Sequence, residues 1–226
     1  MGIGFLLFPD LCPVCERLLV RGERHICLGC LSDLPYSYFW SWRNNPAEQL
    51  LEGMIPLDMA ASLLFYRSES KWRAPVRRFK YEGDRRLGTY MAALLALKLK
   101  ESGWEDKIDL VVPVPLHWLK EWQRGFNQAA VISAEIASAM GVAHEPFLIK
   151  RKKYTFTQTK KDKEHRRTAI AGAFSVPAGM LPKVAGKRIL LVDDVLTTGA
   201  TLEACAKALA DAGCCNISVA TLAFVE

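Results

Sequence analysis

Long apolar runs are missing from this chain of 226 residues. None approaches the roughly 20 residues needed to cross a bilayer, so no membrane span is expected. The opening Gly2-Ile3-Gly4-Phe5-Leu6-Leu7-Phe8 is apolar but short. It has neither a basic start nor a small-residue cleavage site, which argues against a secretory signal. Repeats of the solenoid kind are absent, as are low-complexity tracts. A disulfide scaffold is not indicated either: seven cysteines are an odd count, and four of them form two CxxC pairs. That usage fits a reduced compartment, and a cytoplasmic location is expected. Half the residues are hydrophobic and 24% are charged, with 15 Gly and 11 Pro. This is the balance of an ordinary globular protein large enough to need no covalent staples.

The net charge of +6 is unevenly spread. Lys71 to Arg86 carries seven basic and two acidic residues, and Lys150 to Arg167 nine and two. The remainder of the chain is therefore acidic. Concentrated positive charge favours a polyanionic ligand, either phosphate esters or nucleic acid, over a generally basic surface; two solvated faces are the plain alternative.

Cys12-Pro13-Val14-Cys15 and Cys27-Leu28-Gly29-Cys30 are separated by 11 residues. Each pair brings two thiolates to one metal, and four close a tetrahedral structural Zn²⁺ site with no open position. Gly22 and Gly29 suit the tight turns this requires. Redox CxxC chemistry is the competing reading, and His25 reads as a surface or neighbouring residue rather than a ligand. Residues 1–45 thus form a zinc-ribbon-like module, Asn44-Asn45-Pro46 reads as a linker, and an α/β domain runs from about residue 50 to 226. Cys205 reads as a buried thiol on an apolar helix face. Trp118 and Trp122 read as packing residues, with base stacking as the alternative.

Periodicity predicts strands over Met59–Tyr66, Asp109–Pro115, Arg188–Val192 and Ile217–Phe224, and helices over Arg85–Glu101, Gln128–Met140 and Thr201–Ala212. Continuous apolar strands alternating with helices indicate a parallel sheet covered on both faces. Lys150–Ala171 has little apolar periodicity and reads as a long charged excursion.

Most of the chemistry lies in Ile189-Leu190-Leu191-Val192-Asp193-Asp194-Val195-Leu196-Thr197-Thr198-Gly199-Ala200-Thr201. Two carboxylates stand at the carboxyl end of a strand, where open α/β sheets bind ligands. The following loop opens a helix, whose free N–H groups and dipole suit one phosphate group. Carboxylates accept hydrogen bonds from sugar hydroxyls, so a ribose 5-phosphate fits the pair of features. A P-loop nucleotide hydrolase would need G-x-x-x-x-G-K-[ST] upstream, and none is present.

This string resembles the phosphoribosyl pyrophosphate (PRPP) signature of type I phosphoribosyltransferases. Further matches narrow the resemblance to the ComF family of competence and amidophosphoribosyltransferase-like proteins. They are the paired cysteines, Phe79-Lys80-Tyr81-Glu82-Gly83-Asp84, Val112-Pro113-Val114-Pro115-Leu116-His117, Arg124-Gly125-Phe126-Asn127-Gln128 and Thr157-Gln158. The resemblance implies a twisted, mainly parallel sheet with a hood at about 150–173. It implies that Asp193 and Asp194 hold the ribose hydroxyls and act as the catalytic pair, that Thr197, Thr198, Gly199, Ala200 and Thr201 wrap the 5′-phosphate, and that Val195 is among the PRPP-binding residues. Pro115 and Leu116 would meet the pyrophosphate with Mg²⁺, and Lys80 and Arg124 would border the PRPP. The hood departs from the family pattern: Ala169 stands where an Asn is expected and Lys161 where a hydrophobe is. The ligand-cradling strand end is intact while the covering loop is altered. Cys12 lies inside a CxxC, and about 50 residues cannot house a glutaminase, so glutamine-dependent chemistry is not expected. Two functions follow: phosphoribosyl transfer to an unidentified acceptor, or single-stranded DNA binding with DNA-uptake proteins in natural transformation.

Overall fold

The computed structural model describes residues 10–67, 69–151 and 172–226. Three strands come first: β1 (Leu57–Tyr66), β2 (Leu110–Pro113) and β3 (Ala143–His144). A two-stranded antiparallel ribbon follows, β4 (Lys150–Arg151) with β5 (Phe174–Ser175), and then β6 (Arg188–Leu196) and β7 (Asn216–Val225). Apart from the ribbon, the strands form one parallel sheet in the order β1-β7-β6-β2-β3. The helices are α1 (Leu28–Ser32), α2 (Pro46–Leu51), α3 (Arg73–Tyr81), α4 (Arg85–Glu101), α5 (Trp118–Arg124), α6 (Gln128–Met140), α7 (Leu181–Val184) and α8 (Ala200–Asp211). No helix among the described residues is long and apolar enough to cross a membrane.

Local chemistry explains the best-predicted elements. The Asp84 carboxylate accepts from the Leu87 N–H at 3.1 Å and starts α4, which buries Leu87, Met91, Leu95 and Leu99 on one stripe. Asn127 does the same for α6 through the Ala129 N–H, and Gly141 ends it at φ 69°. Leu190, Leu191 and Val192 of β6 and Val219, Ala220 and Leu222 of β7 are almost wholly buried, as expected for central parallel strands. The structure carries β6 past the predicted end at Val192, because β7 supplies pairing partners as far as Leu196 opposite Phe224. Both aspartates therefore belong to the strand. Part of the charged excursion is also structured, since Lys150 and Arg151 pair with Ser175 and Phe174. The rest of the predicted hood, with Thr157, Gln158, Lys161 and Ala169, lies outside the described residues.

Glycine 88 governs how α3 meets α4. A Cβ there would lie 2.1–2.7 Å from three atoms of the Phe79 ring, so only glycine lets that ring come this close to α4. The residue after Phe79 is Lys80, whose position thus depends on this close approach.

Asn44-Asn45-Pro46 is not a linker. Asn45 is completely buried, and its amide donates to the carbonyls of Phe39, Trp42 and Ala60 at 3.1, 3.1 and 2.9 Å. Its Oδ1 accepts from Ala47 and Glu48, capping α2. Residues 35–37 run beside the edge strand β1: Ser37 N–H donates to the Leu63 carbonyl and Phe65 N–H to that of Pro35. Phe39 then packs edge-on against Phe65 and Phe224, at 5.3 and 5.4 Å. Turn-like composition here hides a saturated polar group at the seam with the sheet.

Candidate functional site

The connections from β2 and β6 lead in opposite directions. From β2 the chain passes through α5 and α6 to β3 on one side, and from β6 it passes through α8 to β7 on the other. Right-handed crossovers running in opposite senses put α6 and α8 on opposite faces. A crevice opens between the carboxyl ends of β2 and β6, the topological switch point of the sheet. Register fixes what lines it: Pro113 lies opposite Val192, and Val114 N–H donates to the Val192 carbonyl at 2.8 Å. The next residues on each side are Pro115 and Leu116, and Asp193 and Asp194.

These carboxylates are crowded. The Asp194 N–H donates to Asp193 Oδ1 at 2.8 Å. Burial, and then the charge of Asp194, push the Asp193 carboxyl up to about 7, against that hydrogen bond from the Asp194 N–H and the smaller pull of Lys80 and Arg124. Lys80 Nζ lies 2.9 Å from Asp194 Oδ2 and 3.2 Å from Oδ1. With side chains 23% and 13% exposed, this ion pair is better shielded than a surface pair. Buried Gln128 ties the neighbourhood together: it accepts from Arg124 Nη1 at 3.0 Å and donates to the Lys80 carbonyl at 3.4 Å. Arg124 also stands 5.2 Å over the Tyr81 ring.

After β6, Thr197 and Thr198 are exposed and Gly199 turns the chain at φ 75° into α8. No side chain caps this helix, so the N–H groups of its first turn are open to a ligand. Gly199 is buttressed from the amino-terminal part of the chain. A Cβ on it would come within 2.7 Å of Leu51 Cδ2, and Met54 Sδ lies 3.6 Å away.

Cys12, Cys15, Cys27 and Cys30 form one cluster, with all four sulfurs within 4.8 Å of one another. Cys15 and Cys27 are 3.6 Å apart, far beyond a disulfide bond. Tetrahedral zinc at about 2.3 Å from each sulfur would set sulfurs about 3.8 Å apart, which this cluster fits. The Cys27 N–H points at Cys12 Sγ and the Cys30 N–H at Cys27 Sγ, at 3.5 and 3.3 Å. Burial works to raise the Cys27 thiol, but the Cys30 N–H and Arg17 outweigh it and bring it down to about 6. The four cysteines can hold a metal ion such as zinc. Of the glycines expected to turn here, Gly22 does so at φ 97°, whereas Gly29 lies inside α1. His25 faces Tyr90 of α4 with ring centres 5.6 Å apart.

The fold thus brings Lys80, Pro115, Leu116 and Arg124 around the strand end that carries Asp193 and Asp194, with residues 195–201 following. Cys205 is wholly buried, as read. Trp118 and Trp122 are not packing residues: they are 59% and 81% exposed on α5. Sequence reasoning gave no site role to four contributors. Gln128 stood only as the end of a family motif and the start of a helix, Leu51 and Met54 lay between the supposed linker and β1, and Arg151 was lost in a run of like charges.

A phosphoribosyl transferase domain model matches residues 124–225. Competence protein F of Haemophilus influenzae is 32% identical over 151 residues, covering 66% of this chain and 66% of that protein. DNA utilization protein YhgH of Salmonella typhimurium is 28% identical over 92% of this chain and 88% of its own length. Competence protein ComFC of Bacillus subtilis is 28% identical over 92% of this chain and 82% of its own.

Proposed function

This chain belongs to the ComF family, and from that premise we propose that it binds a ribose 5-phosphate ligand, PRPP above all, at the switch-point crevice. The observation that carries the reading is the union of two features on one strand–loop–helix: paired carboxylates on β6 and the uncapped amino terminus of α8. The aspartates suit the ribose hydroxyls as acceptors, and the 197–201 loop suits the 5′-phosphate. Pro115 and Leu116 border the space where a pyrophosphate would extend. Burial, and then the charge of Asp194, hold the Asp193 carboxyl up at about 7, and hydroxyl donors or a cation would favour its charged form. Mg²⁺ would be held mostly by the ligand's own oxygens, and it would neutralise charge on departing pyrophosphate. Phosphoribosyl transfer is the reaction class this supports, with Asp193 and Asp194 orienting the sugar.

Isothermal calorimetry with PRPP and with ribose 5-phosphate, each with and without Mg²⁺, tests the reading. Changing both Asp193 and Asp194 to Asn should weaken binding at least 100-fold, since each charge-assisted bond contributes roughly 1.5–3 kcal/mol. Unchanged affinity in the double variant would reject the sugar-phosphate assignment.

Zinc is our assignment for the cysteine cluster, as a structural ion closing residues 10–33. Protein purified without chelator should contain one zinc per chain by elemental analysis. Chelation should raise hydrogen exchange in that segment and leave the sheet protected, because metal binding and local folding are linked. Residues 34–51 should stay protected with the sheet to which they are tied. Global loss of protection would overturn this independence, and zinc-free protein would overturn the assignment.

Exposed Trp118 and Trp122 beside Lys120 favour a second reading: single-stranded DNA handling in the cytoplasm, in line with the names of the relatives. DNA affinity should then fall steeply with salt. Saturating PRPP should leave that affinity in place.

A further inference from the structure

Beyond the crevice, the chain has a hollow of about 650 Å³ between α5, α6 and the segment leading into β4. Its floor is apolar, built from Ala130, Val131 and Ile149, and exposed Trp118 and Phe147 stand at its sides. Lys150 and Arg151 line it as cations.

Arg151 is the informative residue. Its Nε is buried and, among the described residues, has no hydrogen-bond partner. An N–H of a charged group without an acceptor is costly to bury, and a native arrangement ordinarily supplies one. The guanidinium carbon lies 5.4 Å from the centre of the Phe174 ring, a contact that supplies no hydrogen-bond acceptor. Glu121 brings one carboxylate to the hollow, against two cations. His117 adds no positive charge near neutrality, because burial, and then Arg151 and Lys120, hold its imidazole below the ordinary value. Its Nδ1 accepts from the Leu119 N–H at 3.3 Å, which leaves Nε2 as a donor. Apolar walls with exposed rings select a flat aromatic body, and two cations facing one carboxylate among the described residues, with an imidazole donor, select an acidic group on it.

We propose that this hollow is a binding site for a flat aromatic molecule bearing an acidic group, with Arg151 taking the acid and Trp118 and Phe147 flanking the ring. The hollow shares Pro115 and Leu116 with the space assigned to pyrophosphate but none of the crevice's carboxylates. Ribose 5-phosphate, which lacks the pyrophosphate, therefore tests the two sites apart.

The test is calorimetry on the full chain, with quenching of tryptophan fluorescence as a second readout. Pyridine-2,3-dicarboxylate is the matched probe, pyridine-3-carboxamide the uncharged ring, succinate the acid without a ring, and a ten-residue oligothymidylate the nucleic-acid probe. The dicarboxylate should bind once per chain, at least tenfold tighter than the carboxamide or succinate. Arg151→Met should weaken it at least tenfold. Phe147→Ala, at an exposed position that leaves folding intact, should weaken it several-fold and leave ribose 5-phosphate affinity unchanged. If Arg151→Met lowers the melting temperature sharply, Arg151→Lys replaces it and should still weaken binding. Equal affinity for the carboxamide or for succinate would overturn the proposal, as would indifference to both substitutions. Binding of the oligothymidylate without the dicarboxylate would assign the hollow to nucleic acid instead, and displacement of the dicarboxylate by ribose 5-phosphate would refute a separate site.

Discussion

Strands β2 and β6 lie side by side, and their two ends treat carboxylates in opposite ways. At the amino end Asp109 meets Arg188, with Nη2 2.7 Å from one oxygen, Nε 3.1 Å from the other, and the Arg188 N–H at 2.9 Å. Those hydrogen bonds to the Arg188 side chain and backbone draw the Asp109 carboxyl down to about 2. At the carboxyl end Asp193 and Asp194 are successive residues of β6, with Lys80 engaged by Asp194, and burial and then the charge of Asp194 raise Asp193 to about 7. One end satisfies its charge within the protein. The other leaves capacity that an incoming ligand can use, and such perturbed groups concentrate at functional sites.

Breaking the satisfied end should have the larger effect on stability. Asp109 has a depressed folded pKa, so its contribution is present above the ordinary carboxylate range and lost as pH falls toward 2. Asp109→Asn should cost about 1–2 kcal/mol in urea unfolding at pH 7, allowing for a side chain that is 31% exposed. The difference from the parent should vanish near pH 2. A uniform cost across pH would mean that Asn fails there for steric reasons.

The crowded end should respond with the opposite sign and a smaller size. Asp193 has a raised folded pKa, so the native state favours its protonated form. That contribution is fully present below the ordinary value near 4 and is lost as pH rises through 7. Asp193→Asn removes a charge that is unfavourable above pH 7. It should stabilise the protein by roughly 1 kcal/mol at pH 8 and change little at pH 4, the trade of stability for function seen at binding sites. Destabilisation at pH 8 would mean that the two ends of the strands do not differ as described.

The contrast also separates what the sequence made legible from what it did not. The cysteine cluster rests on ligands three residues apart in two nearby pairs, a local pattern, and could be read directly. The helices over Arg85–Glu101 and Gln128–Met140 had apolar stripes and clear stops, and appear with those boundaries. The strand–loop–helix at 189–201 was legible for the same reason, since its aspartates and loop are contiguous. Distance in sequence hid the rest. Lys80 and Asp194 are 114 residues apart, and their meeting depends on Phe79 lying against Gly88. Asn45 looked like a linker residue because composition carries no record of burial. Arg151 sat in a run of like charges, where nothing singled it out from its neighbours.

The central claim is that the strand end carrying Asp193 and Asp194 and the helix start after it form one ribose-phosphate site. It is tested most directly by following backbone amide shifts in ¹⁵N-labelled protein during titration with ribose 5-phosphate, with inorganic phosphate in parallel. Both ligands should shift the amides of Thr198 to Leu202, while only the sugar phosphate should also shift those of Asp193 to Val195. Its affinity relative to phosphate should rise between pH 6 and 8, as Asp193 ionises. Shifts confined to other parts of the chain, or the same response to both ligands, would contradict the account.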